Sequence, residues 1–206
     1  MTKCPKCGQP AVLIDPCPRC SYVKPRDFLL AMMPVGGVCA EIGVWRGNFS
    51  KRILSVTQPS KLYLIDPWMF QPSFGDSAFG GTVVKNQTEM DRMHADVADA
   101  FRGDGRVEII RATSEAALDV FADGFLDWVY IDGNHHYEVV KRDLLGYTAK
   151  VRTGGFVTGD DYGWGAALGQ PVKRAVTEVL RDGLLEVVLV EKNQYVLKRV
   201  ARCLRS

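Results

Sequence analysis

Val38-Cys39-Ala40-Glu41-Ile42-Gly43-Val44-Trp45-Arg46-Gly47 is the stretch on which the fold turns. The apolar run Val38–Ile42, broken only by Glu41, predicts a buried strand. Gly43 and Gly47 permit a tight strand-to-helix turn and close approach of a ligand to the backbone. The helix after it is expected over Phe49–Val56. The loop lacks the G-x-G-x-x-G spacing of dinucleotide sites and the Lys-Ser/Thr of a P-loop. Its acid, Glu41, would repel a pyrophosphate and suits a cationic ligand instead.

Outward from this loop, short apolar runs alternate with longer amphipathic stretches. Further strands are expected at Leu62–Ile65, Val107–Ile110, Trp128–Ile131 and Phe156–Thr158. Helices are expected at about Thr88–Phe101, Glu115–Phe121, Glu138–Lys150 and Val172–Arg181. A short helix over Arg26–Met33, with Pro25 at its start, precedes them. Two closing strands, Leu185–Val190 and Tyr195–Val200, flank the polar Glu191-Lys192-Asn193-Gln194, which reads as a hairpin turn. Alternating strands and helices imply an α/β fold with a mostly parallel sheet covered on both faces, and the hairpin makes one strand antiparallel. Residues 69–86 are rich in Gly, Ser, Phe and Pro without periodicity, which suits a lid, a binding loop or disorder.

The 206 residues fit one full domain with a small appendage. With 47% hydrophobic and 24% charged residues, the composition excludes a disordered, collagenous or coiled-coil chain. Lys and Arg number 26 against 24 acids, a net charge of +2, so a generally basic nucleic-acid binder is not indicated. No apolar run approaches the ~20 residues of a membrane helix and no signal-peptide h-region is present, which predicts a cytoplasmic protein without membrane contact.

Open α/β sheets bind ligands at the carboxyl ends of their strands. Asp66 ends the second strand, 23 residues after Gly43, where it can accept hydrogen bonds from ribose hydroxyls. A glycine loop bearing an acid, followed by a ribose acid, fits S-adenosylmethionine, a cationic sulfonium joined to a nucleoside without phosphate. The plainer alternative is that the glycines only turn the chain and Asp66 caps the next segment. Asp132 ends the fourth strand, and Asp160 and Asp161 end the fifth. Neighbouring strands lie about 4.8 Å apart, and carboxylates brought so close raise one another's pKa unless a cation neutralises them. Such a cluster suits Mg2+ or another hard divalent ion, while loop capping is the simpler role for the same acids. Adjacent Asp160 and Asp161 reach one ion only if the strand has already ended.

The N-terminus carries Cys4-Pro-Lys-Cys7 and Cys17-Pro-Arg-Cys20. Two C-x2-C knuckles suit a closed, structural tetrahedral zinc that would supply most of the folding energy of so short a segment. Disulfides or idle thiols are the alternatives, and a cytosolic chain disfavours disulfides. The expected division is therefore a zinc-ribbon-like module at 1–24 and a body at 25–206. Residues 1–27 hold five basic and two acidic side chains. Four thiolates on one Zn2+ bring that +3 to about +1, a weak footprint for nucleic acid. Cys39 lies in an apolar run and is expected in the core, whereas Cys203 sits in a basic tail.

Glu41-Ile-Gly-Val-Trp-Arg-Gly47, Leu64-Ile-Asp66-Pro-Trp68, Val129-Tyr-Ile-Asp132-Gly-Asn-His135-His-Tyr137 and Gly154-Gly-Phe-Val-Thr-Gly-Asp160-Asp161-Tyr162 together resemble the class I S-adenosylmethionine-dependent methyltransferases. Within them they resemble the macrocin-type sugar O-methyltransferase branch. The resemblance covers about residues 30–200 and implies a Rossmann-like sheet. It places Glu41, Gly43 and Gly47 near the methionine end of the cofactor, Asp66 on the ribose and Ser114 near the adenine. Trp68 fits either beside the adenosine or in the core. The resemblance further implies a divalent metal held by Asp132, Asp160 and Asp161 that orients acceptor hydroxyls, and His135 as the base, with His136 as the spare candidate. A small hydroxyl-bearing acceptor would bind against residues 69–86 and 162–170. Two other readings remain. One is an RNA methyltransferase that grips RNA through the zinc module, against which Gly-Asp160-Asp161-Tyr stands where many amino-group methylating enzymes carry Asn/Asp-Pro-Pro-Tyr. The other is a non-catalytic protein that contacts a partner through the module.

Overall fold

A computed structural model describes residues 26–74 and 83–201. Cys4, Cys7, Cys17, Cys20 and Cys203 lie outside the described residues, as does 75–82 of the expected binding loop.

Seven strands form one sheet: β1 Val38–Ile42, β2 Lys61–Ile65, β3 Val107–Ile110, β4 Leu126–Ile131, β5 Val151–Gly159, β6 Leu185–Glu191 and β7 Gln194–Arg199. Their spatial order is β3-β2-β1-β4-β5-β7-β6. β1 to β5 pair in parallel, and β7 runs antiparallel between β5 and β6. The order reverses between β1 and β4, so the chain diverges there and opens a cleft at the carboxyl ends of the strands.

Side chains alternate across the sheet. Ala40, Ile42, Tyr63, Ile65, Val129 and Ile131 face helices α4 Tyr137–Lys150 and α5 Pro171–Val179. Cys39, Leu62, Leu64, Trp128 and Tyr130 face α1 Asp27–Leu30, α2 Asn48–Thr57 and α3 Gln87–Ala100. Cys39 is fully buried, as its apolar surroundings in sequence imply. α3 starts where the Asn86 side chain accepts from Glu89 N at 3.0 Å and the Glu89 carboxylate accepts from Lys85 N at 3.0 Å, a reciprocal cap. Pro171 opens α5, where a missing N–H costs nothing.

Beyond shifts of one or two residues at element ends, four features differ from expectation. The helix expected over 26–33 is only the single turn α1, because its end tightens into three-residue hydrogen bonds from Met32 and Met33 before Pro34. Residues 116–120 form a 3-10 turn, since Phe121 adopts extended backbone and drops edge-on against Tyr63 at 5.0 Å. β5 begins earlier than Phe156: Val151 pairs with Leu126, and residues 152–155 of β5 bulge out opposite Asp127 before pairing resumes at Trp128 and Phe156. The closing turn is two residues, Lys192 and Asn193, both with positive φ, the primed geometry that matches strand twist. Among the described residues no helix is long and apolar enough to cross a membrane.

Candidate active site

The cleft at the switch point encloses about 910 Å³ and is lined by residues from the ends of β1, β2, β3 and β4 and from α4. That volume suits a nucleoside joined to an amino acid.

The Gly43 loop is shaped first by protein, not ligand. Gly43 has φ +87° and packs directly on the main chain of Asp132 and Gly133. Gly47, with φ +69°, starts α2, and a β-carbon there would meet the Phe101 ring at 3.0 Å. Asp66 then ties β2 to this loop. Its Oδ2 accepts from Val44 N and Trp45 N, each at 3.0 Å, and its Oδ1 accepts from Trp68 N at 2.7 Å. Burial pushes its pKa up while these three N–H groups pull it down. A carboxylate offers about four acceptor sites, so these three donors leave one open. Trp68 is a core residue: it is fully buried, donates Nε1–H to Trp45 O at 2.9 Å and packs on His94 at 4.8 Å.

Glu41 lines the cleft yet is 1% exposed, and the Ser50 hydroxyl donates to it. Burial pushes its carboxyl up to about 8, the Asp132 carboxylate adding to the rise while the Ser50 hydroxyl and the Arg26 guanidinium oppose it. Ser114 lines the same cleft and donates to Asp143 Oδ1 at 2.7 Å, while Tyr147 Oη donates to Ser114 O at 2.8 Å. Asp143 on α4 is buried, which pushes it up to about 6. Its sequence position gives no hint of this, since an acid in mid-helix reads as part of a solvated face.

The acid cluster at the ends of β4 and β5 divides in two. β5 ends at Gly159, and Asp161 takes φ +59°, which swings its side chain away from that of Asp160. His135 Nε2 lies 3.2 Å from Asp161 Oδ2 and 3.7 Å from Asp132 Oδ1. Burial pulls the imidazole pKa down, but the Asp132 and Asp161 carboxylates outweigh it and leave it above its ordinary value. Asp160 belongs to the other half. It accepts from Gln194 Nε2, from Asp161 N at 2.7 Å and from the Arg26 guanidinium. Gln194 in turn accepts from Tyr130 Oη at 2.9 Å. His136 is exposed at the start of α4, and its N–H donates to Asn134 Oδ1 at 2.8 Å.

Two further residues complete the cluster without a sequence signal. Asn193, on the β6–β7 turn, donates Nδ2–H to Asp161 Oδ1 at 3.0 Å and accepts from Gly163 N at 2.7 Å. Arg26 reaches Asp132 Oδ2 with Nη1 at 2.7 Å. Trp164, 40% exposed, stands 5.3 Å from the His135 ring.

One donor atom each from Asp132, His135 and Asp161 lies within 4.8 Å of the others. Two carboxylate oxygens and an imidazole nitrogen at that spacing fit a divalent cation. Asp160 does not join them, because its oxygens face Arg26, Gln194 and the Asp161 amide.

Among solved structures, the O-methyltransferase NovP is 20% identical, with 86% of this chain and 80% of NovP covered and a TM-score of 0.56. A Clostridium thermocellum protein assigned as an rRNA methylase is 14% identical, with 86% and 94% covered and a TM-score of 0.59. Aeropyrum pernix fibrillarin, solved with natively bound S-adenosyl-L-methionine, is 16% identical, with 81% and 67% covered and a TM-score of 0.52. At such identities these likenesses establish the fold and leave the acceptor open. No curated protein matches the chain. The methyltransferase-domain family model matches residues 40–162, from the strand that carries Glu41 to the loop that carries Asp161. With more than half of its length so matched, the chain belongs to that family and is an S-adenosylmethionine-dependent methyltransferase.

Proposed function

We propose that the enzyme methylates an oxygen of a small, hydroxyl-rich, sugar-like acceptor, with His135 taking the hydroxyl proton. The observation that carries this reading is His135 set between Asp132 and Asp161 at the cleft that Glu41 lines. S-adenosylmethionine, when bound, supplies an electrophilic methyl group on a positively charged sulfur. The ionised Glu41 favours that cationic end, the spare acceptor site of Asp66 takes a ribose hydroxyl, and Ser114 with Asp143 borders the nucleoside. Gly43 and Gly47 keep the loop low enough to leave room. The His135 imidazole accepts the acceptor's proton, and the flanking carboxylates stabilise the resulting imidazolium. Trp164 offers a flat apolar face beside His135 for a sugar ring. Asp132 and Asp161 further suit a hard divalent cation, which would make a coordinated hydroxyl more acidic.

Methyl-labelled S-adenosylmethionine with a panel of glycosides bearing vicinal hydroxyls tests the reading. Label on a sugar oxygen, lost in His135→Ala while S-adenosylhomocysteine still binds, is the expected result. Transfer only to a nitrogen, or only to ribosomal RNA, overturns it and favours the RNA reading. We also propose that Cys4, Cys7, Cys17 and Cys20 hold one structural zinc as a module over 1–24. Metal analysis finding no zinc in the purified chain would remove that assignment.

A further inference from the structure

Arg26 stands at the centre of the acid cluster. Its Nη1 lies 2.7 Å from Asp132 Oδ2, and its Nη2 pairs with Asp160 Oδ2. The planar guanidinium lies over two aromatic faces, 5.6 Å from the Phe49 centroid and 5.9 Å from that of Tyr130. Four groups from α2, β4, the loop after β4 and the end of β5 thus define one cation seat, 106 residues from Arg26 along the chain in the case of Asp132. The same Asp132 offers its other oxygen toward His135 and Asp161.

We infer that Arg26 is the resident cation of this cluster and competes with a divalent ion for Asp132. The inference rests on the divalent-ion part of the reading above. A unit positive charge held against one oxygen of a carboxylate weakens a second cation at the other, because both draw on the same anionic charge across a few ångströms. The guanidinium also removes Asp160 from the donor set by occupying it. Arg26 therefore sets which cation Asp132 neutralises, and the ion binds fully only when the guanidinium leaves its seat. The planar fork and the two rings make this a seat for arginine in particular; a lysine would keep the charge but lose the paired contacts.

The test titrates Mn2+ into the full chain, purified with zinc and freed of excess metal, and reads unbound Mn2+ by electron paramagnetic resonance. Arg26→Gln is expected to bind Mn2+ about tenfold tighter than the wild type. Arg26→Lys is expected to stay close to the wild type, and adding Asp132→Asn to Arg26→Gln to abolish the gain. Arg26→Met, which keeps an unbranched stem between the two rings, carries the same expectation as Arg26→Gln should the latter fail to fold. Equal affinity in the wild type and the uncharged variants overturns the competition and leaves the divalent-ion reading standing. A gain in Arg26→Lys as large as in Arg26→Gln overturns it as well, since charge would not be the cause. Absence of Mn2+ binding in every form overturns both.

Discussion

A β-carbon placed on Gly43 would stand 2.1 Å from the carbonyl oxygen of Asp132. The loop after β1 and the loop after β4 thus touch through main chain alone, and the cofactor side and the acid cluster are set by one contact. Gly43→Ala must either push Asp132 away or abandon φ +87°. Left-handed strain and the clash together should cost about 1–3 kcal/mol or more. A lowered melting temperature with loss of S-adenosylhomocysteine binding is expected; a variant that melts and binds like the wild type contradicts the contact.

Glu41 predicts a pH dependence of cofactor affinity. Its carboxyl sits at about 8 in the empty cleft, so at neutral pH it is mostly protonated. A cationic cofactor favours the ionised form and lowers that pKa, so binding should release a proton and tighten as pH rises toward 8. Calorimetry in two buffers of different ionisation heat measures the release. Glu41→Gln should lose both the proton release and the pH dependence while binding more weakly.

His135 predicts the pH profile of turnover. A base must be unprotonated to accept, and the flanking acids raise its pKa above 6.5. The rate should therefore be low in mild acid and climb through a midpoint above that value. His135→Ala should lower kcat by about 10²–10⁴-fold. Cofactor affinity, read by calorimetry, should change little. A wild-type rate that stays flat from pH 6 to 9 with chemistry rate-limiting would argue against this role.

Asp143 predicts a change in stability. Its folded pKa of about 6 lies above the ordinary 3.8, so the folded state holds its proton more tightly than the unfolded one. By linkage its contribution is most favourable below pH 3.8 and declines as pH rises through about 6. Asp143→Asn removes a buried charge and keeps an oxygen to accept from Ser114. A gain of about 1–3 kcal/mol at pH 7.5 is expected, with little gain at pH 4. Denaturant melts at the two pH values decide it; equal effects at both would show that ionisation is not the cause.

The sheet is legible in the sequence because buried parallel strands are short apolar runs and their carboxyl ends carry the glycines and acids. Glu41, Asp66, Ser114 and Asp132 line one cleft, and His135 lies beside Asp132 and Asp161, as the order of the motifs implied. What stayed hidden was the division of labour within the cluster. Asp160 and Asp161 are adjacent letters, and only the left-handed backbone at Asp161 sends them to different partners. Arg26 and Asn193 look like any polar residues flanking a helix and a turn. Their roles come from contacts across 106 and 32 residues of sequence, which no local pattern encodes. The 3-10 turn at 116–120 departs from the helical pattern of its sequence because the pull of Phe121 into the core outweighs helix propensity there.

Asn193 has a temporal consequence. The turn that carries it holds the Asp161 loop, and β7 beside it covers the flank of β5. As the chain leaves the ribosome, every residue that lines the cleft has been made once β4 and α4 have emerged. The Asp161 side of the acid cluster has to wait for the β6–β7 hairpin. A nascent or proteolysed chain that stops short of that hairpin would carry the cleft beside an unpaired β5 edge, prone to pair with other chains. Completion of the acid cluster therefore depends on a part of the chain made after every residue that lines the cleft.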